Sequence, residues 1–422
     1  MIQTINLTPG VVLRHYPDKR FKTAVLSVQL QRPLCREEAA LNALLSSVLL
    51  RGTEKNPDMR AITARLDDLY GAHISPLMRR IGDIQTIGLF LSCLEDRFAL
   101  TGDQVLKPSL ELVREILLEP KLVDGIFDPE FVESEKKNLI ADIESELNDK
   151  RSYAASRMIR SMCAGDSFAL SLRGEVADVE AITARSLYDH YRRVLTTSPV
   201  ELFFVGSAEA QEVAECLMPL AKELATEPMA LPAQTALNLT ADEREFSETM
   251  DINQGKLSMG FTTPITNQHP DFAAMQVFNA VYGAGMTSKL FVNVREKLSL
   301  CYYAGSGYYG SKGIVTVSSG IDECNYETAR DEILSQLRLT VMGRITEEEL
   351  SAAKQGIISG LRSVPDAPGA LENFYGTASI AGMRYDLPAY IEAISAVTAR
   401  DVARCAASVR LHTVFFLKGE AK

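Results

Sequence analysis

The chain has 422 residues, of which 46% are hydrophobic and 23% charged, and its formal net charge is −11. This acidic balance, with no basic cluster to offset it, argues against a nucleic-acid partner. The sequence shows no export signal and no apolar run long enough to span a membrane, and its seven cysteines include no Cys-x-x-Cys. We therefore expect a cytoplasmic protein with free thiols and no membrane association.

Strands and amphipathic helices alternate along the chain. Alternation of apolar and polar residues predicts half-buried strands at 23–30 and 256–263. Helical periodicity predicts helices at 57–70, 106–118, 128–149 and 210–224. This order favours an α+β fold with two homologous domains, each a mostly antiparallel sheet with helices on one face.

The second half of the sequence repeats landmarks of the first half in the same order. Ile182-Thr183-Ala184-Arg185 and Val397-Thr398-Ala399-Arg400 each open a helix that is followed by a strand. Farther upstream, Asp128-Pro129-Glu130 begins one long helix, and Thr346-Glu347-Glu348-Glu349 begins another as a capping box. Matching landmarks of the two halves are separated by a nearly constant number of residues, which indicates a duplicated domain.

A proline-containing stretch separates the two halves. Residues 226–234 carry Pro228 and Pro232 and show little periodicity, which is typical of a linker. We therefore expect a first domain at 1–225, a linker at 226–245 and a second domain at 246–422.

Two groups of motifs resemble a known family. The first half carries Arg20-Phe21-Lys22-Thr23, Leu49-Leu50-Arg51-Gly52-Thr53 and Leu69-Tyr70-Gly71-Ala72. The second half carries Ser288-Lys289-Leu290-Phe291 and then Arg295-Glu296-Lys297, with Tyr302 seven residues after Arg295. Over nearly its whole length the chain resembles the M16 (pitrilysin and insulinase) peptidase family. Within that family it is similar to the non-catalytic, YmfF-like branch of the M16B type.

The resemblance implies that the family's zinc site has been lost. Active members carry His-x-x-Glu-His before Lys/Arg-Gly-Thr, and these positions fall on Ala43, Ser46 and Ser47. Positions i, i+3 and i+4 share one helix face, but alanine has no ligand atom and a serine hydroxyl stays protonated near neutral pH. The third ligand, a Glu, falls on Asp142, although this register could shift by one turn. We expect no zinc and no catalytic residues.

The same resemblance implies a peptide-binding role for Arg295 and Tyr302. An arginine can hold a peptide carbonyl or carboxylate, and a phenol can donate a hydrogen bond to it. The alternative is that both residues pack within the domain, with Glu296 or another acid pairing Arg295. The family also implies that the two domains face each other as a clamshell.

Other sites are disfavoured by spacing. Gly283-Ala284-Gly285 before Ser288-Lys289 lacks the spacing of a phosphate loop, so we expect a tight loop there, although a substrate-handling role is conceivable. Ser46 and Ser47 lack the Gly-x-Ser-x-Gly context of a nucleophile, and no two histidines stand at ligand spacing. Two pairs of tyrosines predict two strands joined around Gly305-Ser306-Gly307.

These features predict a catalytically inactive M16 homologue that pairs with an active zinc peptidase of the family and binds peptides. A homodimer is possible for the chain in isolation. The alternative is a stand-alone peptide-binding or scaffold protein without a peptidase partner. A third hypothesis is residual hydrolysis through an unforeseen site.

Overall fold

A computed structural model of the chain describes residues 2–237, 243–299 and 301–419. Two compact units form, and each is built from three segments of the chain. The first unit comprises Met1–Glu144, Leu170–Ala233 and Val364–Thr377, and the second comprises Ser145–Ala169, Gln234–Ser363 and Ala378–Lys422. The domain limits predicted at 225 and 246 remain a prediction.

The strands of the described residues are numbered in chain order. They are β1 (Gln3–Thr8), β2 (Val11–Pro17), β3 (Thr23–Pro33), β4 (His73–Ile81), β5 (Ile84–Leu94), β6 (Leu122–Val123), β7 (Ile126–Phe127), β8 (Val200–Gly206), β9 (Arg244–Met250), β10 (Gly255–Thr262), β11 (Cys301–Tyr309), β12 (Ile314–Ile321) and β13 (Arg410–Gly419).

The helices are numbered in the same way, and a π-helix at Leu290–Lys297 joins them. They are α1 (Arg36–Leu49), α2 (Met59–Asp68), α3 (Leu106–Leu118), α4 (Pro129–Ser145), α5 (Lys150–Met162), α6 (Val176–Glu180), α7 (Ala184–Thr197), α8 (Ala210–Ala221), α9 (Phe272–Tyr282), α10 (Tyr326–Val341), α11 (Glu347–Ser363), α12 (Pro368–Ala381), α13 (Leu387–Ala396) and α14 (Ala399–Ala406). None of the described helices is long and apolar enough to cross a membrane.

The first unit contains a six-stranded sheet in the order β1-β2-β8-β3-β5-β4. Only the β2–β8 pair of this sheet is parallel. Ala24, Leu26, Val28 and Leu30 alternate along the central strand β3 and all enter the hydrophobic core. On this face α1 and α3 contact β5, α7 contacts β3, and α8 contacts β1 and β2. The core of the first unit therefore lies between one sheet face and a helix layer.

The second unit repeats this strand order. Its five-stranded sheet has the order β11-β12-β10-β13-β9, which corresponds to β4-β5-β3-β8-β2 of the first sheet. The single parallel pair, β9–β13, stands at the equivalent place. The predicted α+β class with mostly antiparallel sheets is therefore confirmed, and the shared order agrees with a duplication.

The opposite face of each sheet is also covered. In the second unit α5 contacts β10, β12 and β13. In the first unit Val364–Thr377 covers the face of β3 that carries Gln29, because Gly376 lies against the Gln29 amide. Each of these covering helices comes from the other half of the sequence, which the helical periodicity did not predict.

The helix starts predicted at Thr183 and Thr398 and the capping box predicted at Thr346 are confirmed. Thr183 and Thr398 each form a capping box at the start of their helices. The backbone N–H of Thr346 donates to Glu349 Oε2 at 2.9 Å, and the N–H of Glu349 donates to Thr346 Oγ1 at 3.1 Å. These local hydrogen bonds satisfy backbone donors that the first helical turn leaves open.

Two local predictions were wrong. The helix expected at 128–149 ends at Ser145, and Asp149 then caps the separate helix α5, because its carboxylate accepts from the N–H groups of Arg151 and Ser152. The tyrosine segment expected to form two strands is the single strand β11, which continues through Gly305 and Gly307 in register with β12. Gly305 pairs with Ser318 and Gly307 pairs with Thr316 of β12, and this pairing keeps the segment extended where a turn was expected.

Gly88 and Gly356 provide a matched test of backbone constraint. At Gly88 the φ angle is +146°, and an added Cβ would collide with the carbonyl oxygen of Val28 on the adjacent strand. We expect Gly88→Ala to lower the free energy of unfolding by about 2 kcal/mol or more. Gly356 lies in α11 with open space around it, so Gly356→Ala should raise stability by about 0.5–1 kcal/mol. Urea unfolding measures both, and equal effects would contradict this account.

Candidate functional site

Helix α1 is held in place by packing and by its first turn. Its Ala- and Leu-rich sequence favours a helix, and Glu37 and Glu38 place negative charge near its N-terminus. One face of the helix enters the core of the first unit through Leu44, Leu45, Val48 and Leu49. Because this face is buried, the packing fixes the rotation of α1 about its axis and so the directions of its other side chains.

The three positions of the lost zinc motif lie on this helix. Ser46 is buried, with 4% of its surface exposed, whereas Ala43 and Ser47 are half-buried. Asp142 lies on α4 and is exposed. Neither an alanine methyl nor a protonated serine hydroxyl is a zinc ligand, so these residues do not fit the metal. In the described ranges no group of three or more His, Cys, Asp or Glu is arranged to hold a metal ion.

The Arg51-Gly52-Thr53 segment after α1 is fixed by structural contacts. Arg51 Nη1 lies 3.1 Å from Glu135 Oε1, which ties the end of α1 to α4. A Cβ on Gly52 would lie 2.7 Å from the carbonyl oxygen of Pro57, so only glycine fits this close approach. The motif therefore has a packing role that needs no metal.

A buried polar network holds α1 from the side of the core. Asn42 Nδ2 donates to Gln85 Oε1 of β5 at 2.9 Å, and its Oδ1 lies 2.8 Å from His190 Nε2 on α7. The other ring nitrogen of His190 accepts from Arg193 Nη2 at 2.9 Å. Since Asn42 directly precedes Ala43, this network fixes the orientation of the helix at the altered positions.

The same network shows whether His190 could activate Ser46 as a nucleophile. Both ring nitrogens of His190 already have partners, Asn42 and Arg193. Burial also lowers the pKa of His190 to about 4, against an opposing effect from Glu38, so the ring is neutral at physiological pH. The ring therefore serves as a structural link, and neither of its nitrogens is available as a base for Ser46. Sequence reasoning missed it because His190 and Asn42 lie 148 positions apart.

Arg295 and Tyr302 line one cavity in the second unit. Arg295 lies on the π-helix, and Tyr302 follows Cys301, the first residue of β11. The cavity has a volume of about 370 Å³, and Ser299 and Asp322 also line it. The structure thus brings together the two residues that the sequence singled out for peptide contact.

The two side chains of this cavity are accessible. The Arg295 side chain is 40% exposed, its Cζ lies 4.6 Å from the centroid of the Phe291 ring, and its Nε lies 3.6 Å from Glu296 Oε1. Tyr302 is 70% exposed. Because the Arg295–Glu296 ion pair is long and exposed, it contributes little to stability. The guanidinium can therefore still donate hydrogen bonds to a ligand.

The glycine-rich segment before the π-helix is a tight loop, as expected. A Cβ on Gly283 would lie 2.6 Å from Ser306 Oγ, so the loop presses against β11. Ser288 Oγ donates to the carbonyl oxygen of Gly285 at 2.6 Å. Lys289 is buried, and its Nζ lies 2.8 Å from Glu349 Oε1 on α11. The hydroxyl and the ammonium that would face a phosphate are therefore engaged within the unit.

Comparisons with known proteins agree with this arrangement. Residues 181–357 match the family model described as Peptidase M16 inactive domain. The chain is 32% identical to the probable inactive metalloprotease YmfF of Bacillus subtilis (strain 168) over 414 residues, 97% of this chain and 96% of that protein.

Solved structures show the same fold. A conserved protein from Enterococcus faecalis V583 superimposes with a TM-score of 0.91 at 29% identity, covering 100% of this chain and 99% of that chain. A structure described as a peptidase M16 inactive domain from Pseudomonas fluorescens superimposes with a TM-score of 0.82 at 16% identity, covering 100% of this chain and 98% of that chain.

The buried imidazole of His190 predicts a loss of stability in acid. Its pKa is about 4 in the folded chain, against an ordinary value of 6.5. Between these values the unfolded chain binds more protons, so lowering the pH favours unfolding, by up to about 3 kcal/mol near pH 4. Urea unfolding of the wild type and of His190→Gln at pH 7, 5.5 and 4.5 measures the effect.

The variant should lose less stability on acidification than the wild type. His15 and His412, whose pKa values burial also lowers, are present in both proteins and serve as an internal control. The same loss in both proteins would show that His190 does not carry the effect.

Proposed function

Because the chain belongs to the M16 peptidase family, we propose that it is the non-catalytic partner of an active M16 zinc peptidase. The chain is an inactive M16 homologue, and the observation that carries the proposal is the state of α1. This helix keeps its position, its core contacts and the Arg51-Gly52-Thr53 segment, but bears Ala43, Ser46 and Ser47 where ligands and base would stand. The proposed setting is cytoplasmic.

The proposed contribution of this chain is peptide contact through Arg295 and Tyr302. A guanidinium can give paired N–H bonds to a peptide carbonyl or a carboxylate, and an exposed phenol can donate a third hydrogen bond. The 70% exposure of Tyr302 supports this role over a packing role, because a tyrosine kept for packing would bury its ring. Cleavage would then be the task of the partner.

The competing function is a stand-alone peptide-binding or scaffold protein. The same cavity would serve it, and a homodimer would replace the heterodimer. The two functions differ in whether a zinc-bearing chain accompanies this one in its own cells.

Native mass spectrometry of the protein isolated gently from its own cells tests the partnership. We expect a 1:1 complex with a chain of similar mass that carries His-x-x-Glu-His and one zinc ion. After dissociation, this chain should carry no zinc. Metal-free monomers or homodimers, with no such companion, would favour the stand-alone protein instead.

Replacing Arg295 should weaken peptide binding. Loss of paired hydrogen bonds from a charged group removes about 1.5–3 kcal/mol, so Arg295→Ala should raise the Kd for a bound peptide about tenfold to a hundredfold. Fluorescence anisotropy with labelled unstructured peptides measures this change, and thermal unfolding of the same samples reports the stability.

Arg344→Ala is the matched control. Arg344 is an exposed arginine in the second unit and does not line the cavity. It should leave both the Kd and the melting temperature unchanged. If Arg295→Ala lowers the melting temperature while peptide binding is intact, its role is packing and the proposed contact is wrong.

A further inference from the structure

Each half of the sequence lacks a helix that its own sheet needs. The segments Ser145–Ala169 and Val364–Thr377, called here the exchanged segments, each belong to the unit built mainly from the other half. The first contains α5 and the second contains most of α12. The two exchanges are reciprocal, because each half gives one helix and receives one.

In the first unit the received segment is held by a buried charge pair. Glu372 is fully buried, and its two carboxylate oxygens accept from Arg79 Nη1 and Nη2 of β4 at 2.9 and 2.7 Å. Gln29 Nε2 of the central strand β3 lies 3.3 Å from the same carboxylate. Without Glu372 the sheet face would keep Gln29 buried with no charged partner, and Arg79 would lose both hydrogen bonds.

In the second unit the received segment is held mainly by apolar packing. Met158 and Met162 of α5 are fully buried and cluster with Phe415 and Leu417 of β13. Gly260 of β10 provides the space, since a Cβ there would lie 2.5 Å from both methionine sulfur atoms.

Two ion pairs add to this packing. Lys312 is buried, and its Nζ lies 3.0 Å from Asp166 Oδ2 of the exchanged segment. Arg157 of α5 also pairs with Glu248 of β9. The exchanged segment therefore meets the second sheet through both an apolar cluster and two ion pairs.

We propose that the two halves of the chain bind each other through the exchanged segments, so that the linker is not needed to keep them together. In each half, one face of the sheet is covered by a helix from the other half. Apolar burial stabilises the contact in the second unit, and breaking the contact in the first unit would leave the Glu372 carboxylate without its partner Arg79. Separating the halves would expose both sheet faces at once. This inference does not depend on the proposed peptidase partnership.

The test is a cut in the folded, full-length protein. A protease site is inserted after Ala233, where Pro232 and Ala233 are exposed and the first unit passes into the second. After cleavage we expect the two fragments to elute as one particle in native buffer and to separate only in urea. Separation in native buffer would overturn the proposal.

Substitutions in the exchanged segments test whether these segments hold the two fragments together. Glu372→Gln in the cut protein should raise the dissociation constant of the fragments about tenfold or more. Met158→Ala removes buried volume from the other contact and should act in the same direction. Glu392→Gln, on an exposed acid of α13, is the matched control and should have no effect.

Hydrogen exchange separates the two contacts. Glu372→Gln should speed amide exchange in β3 and β5, and Met158→Ala should speed it in β10 and β13. If one variant fails to fold, the other still decides the question. Fragments that dissociate equally in Glu372→Gln, Met158→Ala and Glu392→Gln would show that the exchanged segments do not hold the halves together.

Discussion

Burial of both faces of each sheet is the constraint on which the rest of the structure depends. The central strand β3 sends Leu26 and Val28 into the helix-covered core, and its other face carries the buried side chains Ser27 and Gln29. A buried amide needs hydrogen-bond partners, and Glu372 of the second exchanged segment supplies one. Covering the second face of each sheet draws one segment of each half into the unit built mainly from the other half.

The same reasoning explains how α1 keeps its place without a metal. A zinc ion would link a helix to its neighbours through strong bonds to side chains. Here the helix is held by its apolar face and by the hydrogen bonds of Asn42 to Gln85 and His190. Ser46 fits this environment because it is small and nearly fully buried, whereas an ionised glutamate there would carry a large desolvation cost.

The second unit separates structural residues from those available to a ligand. Lys289 is buried and paired with Glu349, and Gly283 presses on β11, so the loop before the π-helix is committed to the fold. Arg295 and Tyr302 follow closely in sequence but stay exposed around one cavity. Within this short stretch, the proposed peptide contact is therefore placed at the cavity and not at the glycines.

The sequence by itself determined the features that depend on neighbours a few residues apart. These include the helix starts at Thr183 and Thr398, the capping box at Thr346, the spacing of Ala43, Ser46 and Ser47, and the α+β class, because backbone hydrogen bonding and helical periodicity act over one or two turns. Only the tertiary structure decided the rest. It brought His190 to Asn42 and the exchanged segments to sheets of the other half, since such contacts depend on packing between residues far apart in sequence, which no local pattern records.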